Sequence, residues 1–223
     1  MNDSIELTGA DGFTFSAYLA KPTGEPKGRV VVIQEIFGVN DHIREVCDGY
    51  AEAGYVALAP ALFDRVERGI ELGYEGDDMT QGVEIAMGKL EMPNTMSDVQ
   101  AAIDYLASDG KVGVVGYCFG GLLTWLSAAS ANNIACACGY YGGGIAQSIE
   151  KTPKVPTILH FGELDAHIPM TDVKSIDKAY PEVMVYTYDA DHGFNCDHRA
   201  SYNESAAALA RQRTLGFFEQ YLG

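Results

Sequence analysis

Lys111-Val112-Gly113-Val114-Val115-Gly116-Tyr117-Cys118-Phe119-Gly120-Gly121 stands midway along a chain of 223 residues. Its first half, Lys111 to Gly116, is a near-continuous apolar run, which suits a strand covered on both faces. The segment from about 119 to 131 has apolar residues at helical spacing. A strand and a helix joined so closely require a sharp turn at Cys118, and strained backbone of this kind tolerates only small flanking residues. The flanking glycines meet that requirement, so the turn should lift the Cys118 side chain clear of the sheet.

On both sides of this turn, strand patterns alternate with helix patterns. Apolar runs predict further strands at 29–34, 55–59, 136–140, 157–161 and 184–188, and the alternation at 13–19 predicts an early antiparallel strand. Helices are predicted at about 41–53, 97–107, 119–131, 171–179 and 201–221. This order predicts one α/β domain over residues 1–223, with a mostly parallel central sheet and helices on both faces. Ligands of such sheets bind beyond the carboxyl ends of the strands.

The chemistry expected at the turn is that of a cysteine nucleophile. Gly116-Tyr117-Cys118-Phe119-Gly120 is the G-x-S-x-G nucleophile elbow of the α/β-hydrolases with cysteine in place of serine. The positive end of the following helix favours a thiolate at Cys118, and the backbone N–H of Phe119 faces the place where an oxyanion would form. A glycine-rich turn around a buried cysteine is the alternative, because cysteine is often buried. The strand before the motif and the helix after it favour the nucleophile.

Candidate partners for Cys118 follow later in the chain. In α/β-hydrolases the acid follows the nucleophile and the histidine comes last. Asp165 lies in the loop after the 157–161 strand, and His192 lies in the loop after the 184–188 strand. His192 would take the thiol proton or stabilise the thiolate and later protonate the leaving group, while Asp165 would fix the tautomer of His192.

The other histidines fit other roles. His167 is interpreted as part of a loop, His160 as a hydrogen-bonded core residue within a strand, and His42 as the start of a helix. His192, Cys196, Asp197 and His198 together have residue types that suit a metal. No C-x-x-C or H-E-x-x-H pattern supplies a further ligand, so no metal and no cofactor are expected. Cys136 and Cys138 share one face of a strand and are interpreted as packing residues.

Composition limits the classes of partner. The formal net charge is −16, from 15 basic and 31 acidic residues, so nucleic acid and acidic membrane surfaces should be repelled. The first residues lack the pattern of a signal peptide, and no window is apolar for long enough to span a membrane. The five cysteines show no disulfide spacing and suit a reducing compartment. We therefore expect a cytoplasmic protein with a small-molecule substrate; the sequence leaves its oligomeric state open, and a monomer is compatible with it.

Five segments together resemble the dienelactone hydrolase family over essentially the whole chain. They are Gln34-Glu35-Ile36-Phe37-Gly38-Val39-Asn40, Gly116-Tyr117-Cys118-Phe119-Gly120-Gly121, Gly139-Tyr140-Tyr141-Gly142, the loop from Gly162 to Asp165, and Asp191-His192-Gly193-Phe194. The pairing of the first two motifs is highly specific. The resemblance implies an α/β-hydrolase fold, hydrolysis of a lactone or carboxylic ester through an acyl-enzyme, and a triad of Cys118, His192 and Asp165.

The resemblance also implies roles for Glu35 and Ile36. The corresponding glutamate of the family accepts the proton of the resting thiol when substrate arrives, and the N–H of Ile36 would be the second oxyanion donor beside that of Phe119. A carboxylate is normally too weak a base for a thiol. Desolvation that raises the pKa of Glu35 would correct the mismatch.

This chain departs from the family at the residues that bind an anionic lactone. Relatives that act on dienelactone carry an arginine four residues after the histidine and another in the region corresponding to about 76–84. Here the first position is Cys196, and the segment from Gly73 to Gly88 has no lysine or arginine. Arg199 and Arg65 are the candidate replacements, because arginine binds carboxylates bidentately. A neutral lactone or ester fits the sequence at least as well as dienelactone does.

Two alternatives to an acyl hydrolase follow from the same residues. One is a ligand-binding or thiol-sensing protein that keeps the fold without turnover, against which the presence of His192 and Asp165 counts. The other is a cysteine that attacks a carbon other than an ester carbonyl, such as that of a peptide or an alkyl halide. Oxyanion donors at Phe119 and Ile36 would favour acyl chemistry.

Overall fold

The computed structural model describes residues 2–223 and contains one eight-stranded sheet. The strands are β1 Asn2–Thr8, β2 Thr14–Ala20, β3 Gly28–Ile33, β4 Tyr55–Pro60, β5 Val112–Tyr117, β6 Ile134–Tyr140, β7 Thr157–Gly162 and β8 Met184–Tyr188. Their order across the sheet is β1-β2-β4-β3-β5-β6-β7-β8. The β1–β2 and β2–β4 pairs are antiparallel, and every later pair is parallel. The predicted mostly parallel sheet is confirmed.

Helices cover both faces of the sheet. They are α1 Asp41–Glu52, α2 Gly76–Glu84, α3 Met92–Ala107, α4 Phe119–Ser130, α5 Met170–Ala179 and α6 Glu204–Leu222. Strand β3 shows why the sequence from Val30 to Ile33 is apolar without a break: Val30 and Val32 pack in one hydrophobic core with residues of α1 and α6. Val31 and Ile33 pack in the other core with residues of α3. A strand buried on both faces loses the alternation of polar and apolar residues.

Two elements of the structure, one strand and one helix, are not predicted from the sequence. Strand β1 extends the antiparallel edge by pairing Asn2 through Thr8 with β2. Helix α2 lies where the sequence shows only an acidic, glycine-containing segment, and a π-helical turn over Ile85–Lys89 follows it directly. Short helices of mixed composition have little apolar periodicity, which explains why α2 is not predicted. Among residues 2–223 no helix is long and apolar enough to cross a membrane.

The parallel strands bring distant parts of the chain to one edge of the sheet. Glu35 follows β3, Cys118 follows β5, Asp165 follows β7 and His192 follows β8. Because parallel strands end at the same edge, residues separated by as many as 157 positions can meet there.

Candidate active site

Cys118 occupies a strained turn between β5 and α4. Its backbone angles are φ 54° and ψ −113°, which few residues with a side chain adopt. The two glycines of the motif allow the chain to pack closely: a Cβ on Gly116 would lie 2.0 Å from the carbonyl oxygen of Gly120, and one on Gly120 would lie 2.3 Å from that of Ile33. The backbone N–H of Cys118 donates to the Tyr140 carbonyl on β6 at 3.0 Å. The predicted strand, turn and helix are all present.

The Cys118 side chain is half-buried and contacts His192. The Cys118 Sγ and His192 Nε2 atoms are 3.1 Å apart, and His192 Nδ1 lies 2.6 Å from Asp165 Oδ2. The other Asp165 oxygen, Oδ1, accepts the backbone N–H groups of His167 at 2.8 Å and Ile168 at 3.2 Å. These two bonds fix the carboxylate, which in turn fixes the imidazole. The structure therefore brings together the three residues that the sequence proposes as a triad.

The electrostatics of this trio favour a charged imidazole. Burial acts to lower the pKa of His192, but the hydrogen bonds to Asp165 and Cys118 outweigh it and raise the pKa to about 10. Burial acts to raise the pKa of Asp165, whereas its bonds with His192 and with the two backbone N–H groups dominate and lower it. Asp165 is thus ionised at neutral pH, and His192 can hold a proton beside the sulfur.

Glu35 is buried beside this trio and not exposed in its loop. Only 1% of it is accessible, and burial raises the pKa of its carboxyl group against the opposing charges of Arg199 and His192. The Arg199 guanidinium donates to Glu35 Oε1 from Nη1 at 3.4 Å. Desolvation therefore acts on Glu35 in the direction that a base for a thiol would need.

A cavity of about 260 Å³ opens above Cys118. Its lining residues are Ile36, Phe37, Met79, Val83, Met87, Cys118, Phe119, Leu122, Gly143, His167, His192 and Arg199. Both proposed oxyanion donors, Ile36 and Phe119, are among them. Phe119 is the first residue of α4, so its N–H has no acceptor within the helix. The arrangement places a thiol, an imidazole and two candidate N–H donors around one apolar cavity.

The sequence does not predict that the following residues lie at or near the cavity. The His167 ring lies edge-on to His192 with 5.4 Å between centroids, although the sequence suggests only a loop residue. Tyr141, which does not line the cavity, also packs against His192, with 5.1 Å between ring centroids. Met79 and Val83 come from α2, where their spacing of four is the available signal, and the three residues between them are polar or glycine.

Of the two arginines proposed for substrate binding, the structure places Arg199 in the cavity and Arg65 elsewhere. Arg65 Nε and Nη2 contact Asp98 Oδ2 and Oδ1 at 2.5 and 2.7 Å, and Arg65 Nη1 contacts Asp11 at 2.8 Å. The Asp98 side chain is fully buried and that of Arg65 is 11% exposed. A buried carboxylate is stabilised by a paired cation, so Arg65 is engaged by Asp98, and Arg65 is not among the residues that line the cavity.

Replacing Arg65 by methionine should therefore affect stability and not substrate binding. We expect the free energy of unfolding to fall by about 3 to 5 kcal/mol, because Asp98 would be left buried without its partner. Urea denaturation measures this loss, and kcat/KM per folded molecule should stay unchanged. The double variant Arg65→Met with Asp98→Leu should recover much of the stability, since no buried charge remains. Normal stability with a raised KM would return Arg65 to the substrate site.

The metal-ligand set considered from the sequence does not converge. His192 contacts Asp165 and Cys118, while Asp197 and His198 are exposed near Glu45. Cys196 is buried with Glu35 and His42, and one potential ligand atom of each lies within 4.8 Å of the others. This second group has suitable donors, but the Arg199 cation already contacts its carboxylate.

The remaining histidine and the cysteines agree with their sequence interpretation. His160 is fully buried, and its ring nitrogens contact the hydroxyl groups of Tyr188 at 2.8 Å and Thr214 at 3.1 Å. Cys136 and Cys138 are buried in the core beside the sheet. Each of the five cysteines is a free thiol, and Cys118 alone among them is not fully buried.

This chain is similar to known proteins over nearly its whole length. A sequence model described as "Dienelactone hydrolase family" matches residues 15–222. The carboxymethylenebutenolidase of Pseudomonas putida is 34% identical, with 97% of this chain and 96% of that protein covered. A provisionally assigned carboxymethylenebutenolidase of Synechocystis sp. (strain ATCC 27184 / PCC 6803 / Kazusa) is 38% identical over 99% of this chain and 94% of its own length. The crystal structure of a provisionally assigned dienelactone hydrolase from Klebsiella pneumoniae subsp. pneumoniae MGH 78578 superposes with a TM-score of 0.85 at 30% identity, covering 99% of this chain and 100% of the other.

Proposed function

Because this chain belongs to the dienelactone hydrolase family, with the α/β-hydrolase fold, we propose that it hydrolyses a lactone or carboxylic ester through a thioester on Cys118. The observation that carries the proposal is the line of contacts from Asp165 through His192 to Cys118, at 2.6 and 3.1 Å. A buried carboxylate, an oriented imidazole and a nucleophile in hydrogen-bonding sequence form the arrangement that nucleophilic acyl transfer requires.

In the first half of the reaction the Cys118 sulfur attacks the ester carbonyl. A bond forms between sulfur and carbon, and the carbonyl electrons move to oxygen, where the N–H groups of Phe119 and Ile36 would stabilise the negative charge. The tetrahedral intermediate collapses by breaking the bond between carbon and the alkoxy oxygen. His192 gives its proton to that oxygen, so the alcohol leaves neutral and the acyl group stays on sulfur.

In the second half water releases the acyl group. The now neutral His192 takes a proton from water, which attacks the thioester carbonyl, and the tetrahedral intermediate expels the Cys118 thiolate. In a lactone the alcohol and the acid belong to one molecule, which leaves as a hydroxy acid. The raised pKa of His192 means that the imidazole recovers its proton readily after each step.

Glu35 is the group we assign to accept the Cys118 proton when substrate binds. Its carboxyl group is buried, its pKa is raised, and it contacts Arg199, which lines the same cavity as Cys118. Substrate that occupies the cavity excludes more water and raises the pKa of Glu35 further. The proton returns to sulfur at the end of the cycle, so water, ester, acid and alcohol balance.

Trapping the thioester tests the proposed intermediate directly. The protein is quenched in acid during turnover of p-nitrophenyl acetate and digested, and the peptides are analysed by mass spectrometry. An acetyl group should be found on the peptide that contains Cys118 and on no other cysteine peptide. Turnover of the ester without acylation of Cys118 in the quenched samples would reject the thioester mechanism.

Replacing Glu35 by glutamine should reduce kcat/KM by about 10²-fold, because an amide accepts no proton from the thiol. Activity of the unmodified protein should rise with pH as Glu35 ionises, and the midpoint should lie above the ordinary value of 4.5, because its pKa is raised. Glu35→Gln should remove this rise from the pH profile of kcat/KM. The exposed acid variant Glu182→Gln serves as control and should keep it. An unchanged profile in Glu35→Gln would assign the thiol proton to His192 alone.

A further inference from the structure

Helix α2 and the turn after it present an apolar surface to the cavity. Met79, Val83 and Met87 follow one another at intervals of four residues, and all three line the cavity above Cys118. Val83 and Met87 are 45% and 67% exposed, so they are not part of the hydrophobic core. Exposed apolar side chains grouped around a cavity mark a surface that an apolar ligand covers.

The positive charges in the same cavity, on His192 and Arg199, are each paired with a carboxylate, that of Asp165 and that of Glu35. Among the described residues that line it, Arg199 is the one lysine or arginine. Its guanidinium contacts Glu35 at 3.4 Å and lies over the rings of Phe37 and Tyr74, at 5.7 and 5.8 Å from their centroids. An incoming carboxylate would therefore compete with Glu35 for Arg199.

The outer surface of α2 carries the opposite charge. Asp77 and Asp78 lie in its first turn, Glu84 is its last residue, and the nearby Lys89 is 3.1 Å from Glu84. The chain as a whole has a formal charge of −16. An anionic substrate would meet a repulsive field on approach and no free cation beside α2.

We propose that the α2 side of the cavity binds an uncharged apolar substituent of the ester, and that Val83 is a residue that excludes anionic substituents. The inference rests on the proposed hydrolase activity and names its substrate class. Covering the methylenes of the substituent removes apolar surface from water and so favours binding. A carboxylate placed at the same point loses hydration without gaining a partner.

A matched pair of esters tests the substrate class. p-Nitrophenyl hexanoate and mono-p-nitrophenyl adipate share their leaving group and the length of their acyl chain, but the second ends in a carboxylate. We expect kcat/KM at pH 7 to be at least about tenfold higher for the hexanoate, a difference typical of one well-placed group. Equal values, or a preference for the adipate, would overturn the inference while leaving the hydrolase itself established. Failure to hydrolyse either ester or any lactone would reject the proposed function instead.

Charge introduced at Val83 tests the assignment to α2. Val83→Arg should lower the ratio of hexanoate to adipate kcat/KM by at least about tenfold, because a guanidinium would pair with the adipate carboxylate. The control Leu209→Arg makes the same change of net charge at a residue of α6 that is 41% exposed, and it should leave the ratio unchanged. Equal shifts in both variants, or none in Val83→Arg, would contradict the assignment. Met87→Arg, at a more exposed position, gives the same test if Val83→Arg does not fold.

Discussion

Replacing Cys118 by alanine is expected to lower kcat/KM for p-nitrophenyl acetate by at least about 10⁴-fold, because the remaining groups stabilise an oxyanion but form no acyl-enzyme. The fold should survive. Cys118 is only half-buried, and alanine keeps the small size that the turn at φ 54° requires. Rates from purified protein, with circular dichroism as a check on folding, measure both expectations.

A second cysteine provides the control for Cys118→Ala. Cys47 is fully buried on α1, away from the cavity, and burial raises the pKa of its thiol well above the ordinary value. Cys47→Ala should keep ester hydrolysis, whereas Cys118→Ala should lose it. Full activity in Cys118→Ala would refute the nucleophile assignment. Rapid labelling of Cys118 without turnover of any ester or lactone would favour a thiol sensor on the same fold.

Replacing Asp165 by asparagine is expected to lower kcat by about 10² to 10⁴-fold with little change in the shape of the site. Asp165 accepts three hydrogen bonds, from His192 Nδ1 and from the backbone N–H groups of His167 and Ile168. An amide nitrogen donates, so at least one of these three donors loses its acceptor. If that donor is His192, the imidazole changes tautomer and no longer accepts a proton at Nε2.

The same variant should change stability in a pH-dependent manner. The pKa of Asp165 is lowered in the folded state, so its ionised form stabilises the protein above the ordinary value of 3.8. We expect Asp165→Asn to unfold at lower urea than the unmodified protein at pH 7, and the difference to shrink as the pH falls through the lowered pKa. The control Asp189→Asn removes an exposed carboxylate three residues before His192 and should affect neither rate nor stability. Normal kcat in Asp165→Asn would show that His192 is oriented by other contacts.

Most strands of the sheet can be predicted from runs of apolar residues, because such runs follow directly from burial of the strand on both faces. Val30 to Ile33 face two cores, and the resulting apolar run is visible without coordinates. Helix α2 leaves no such signal, since Gly82 is its one buried residue and Met79 and Val83, which line the cavity, are only partly covered. The residues proposed to select the substrate were therefore the hardest to predict.

Some residues of the candidate site can be predicted from the sequence, and the place of others depends on the packing of distant elements. Cys118, Asp165 and His192 are predictable because each follows a strand, and a parallel sheet gathers those ends at one edge. Arg65 and Arg199 are indistinguishable by this rule, since a long side chain reaches in any direction that its surroundings permit. The pairing of Arg65 with the buried Asp98, and of Arg199 with Glu35, depends on which elements pack together.

The residue types around Cys118 are enough to specify a glycine-flanked turn between a strand and a helix, because local sterics admit few alternatives there. What surrounds the sulfur depends on the tertiary structure. It buries Glu35, places His192 Nε2 3.1 Å from the sulfur and sets Met79 and Val83 of α2 against the cavity. Burial, charge pairing and cavity shape are properties of contacts between distant segments, and no local pattern specifies them.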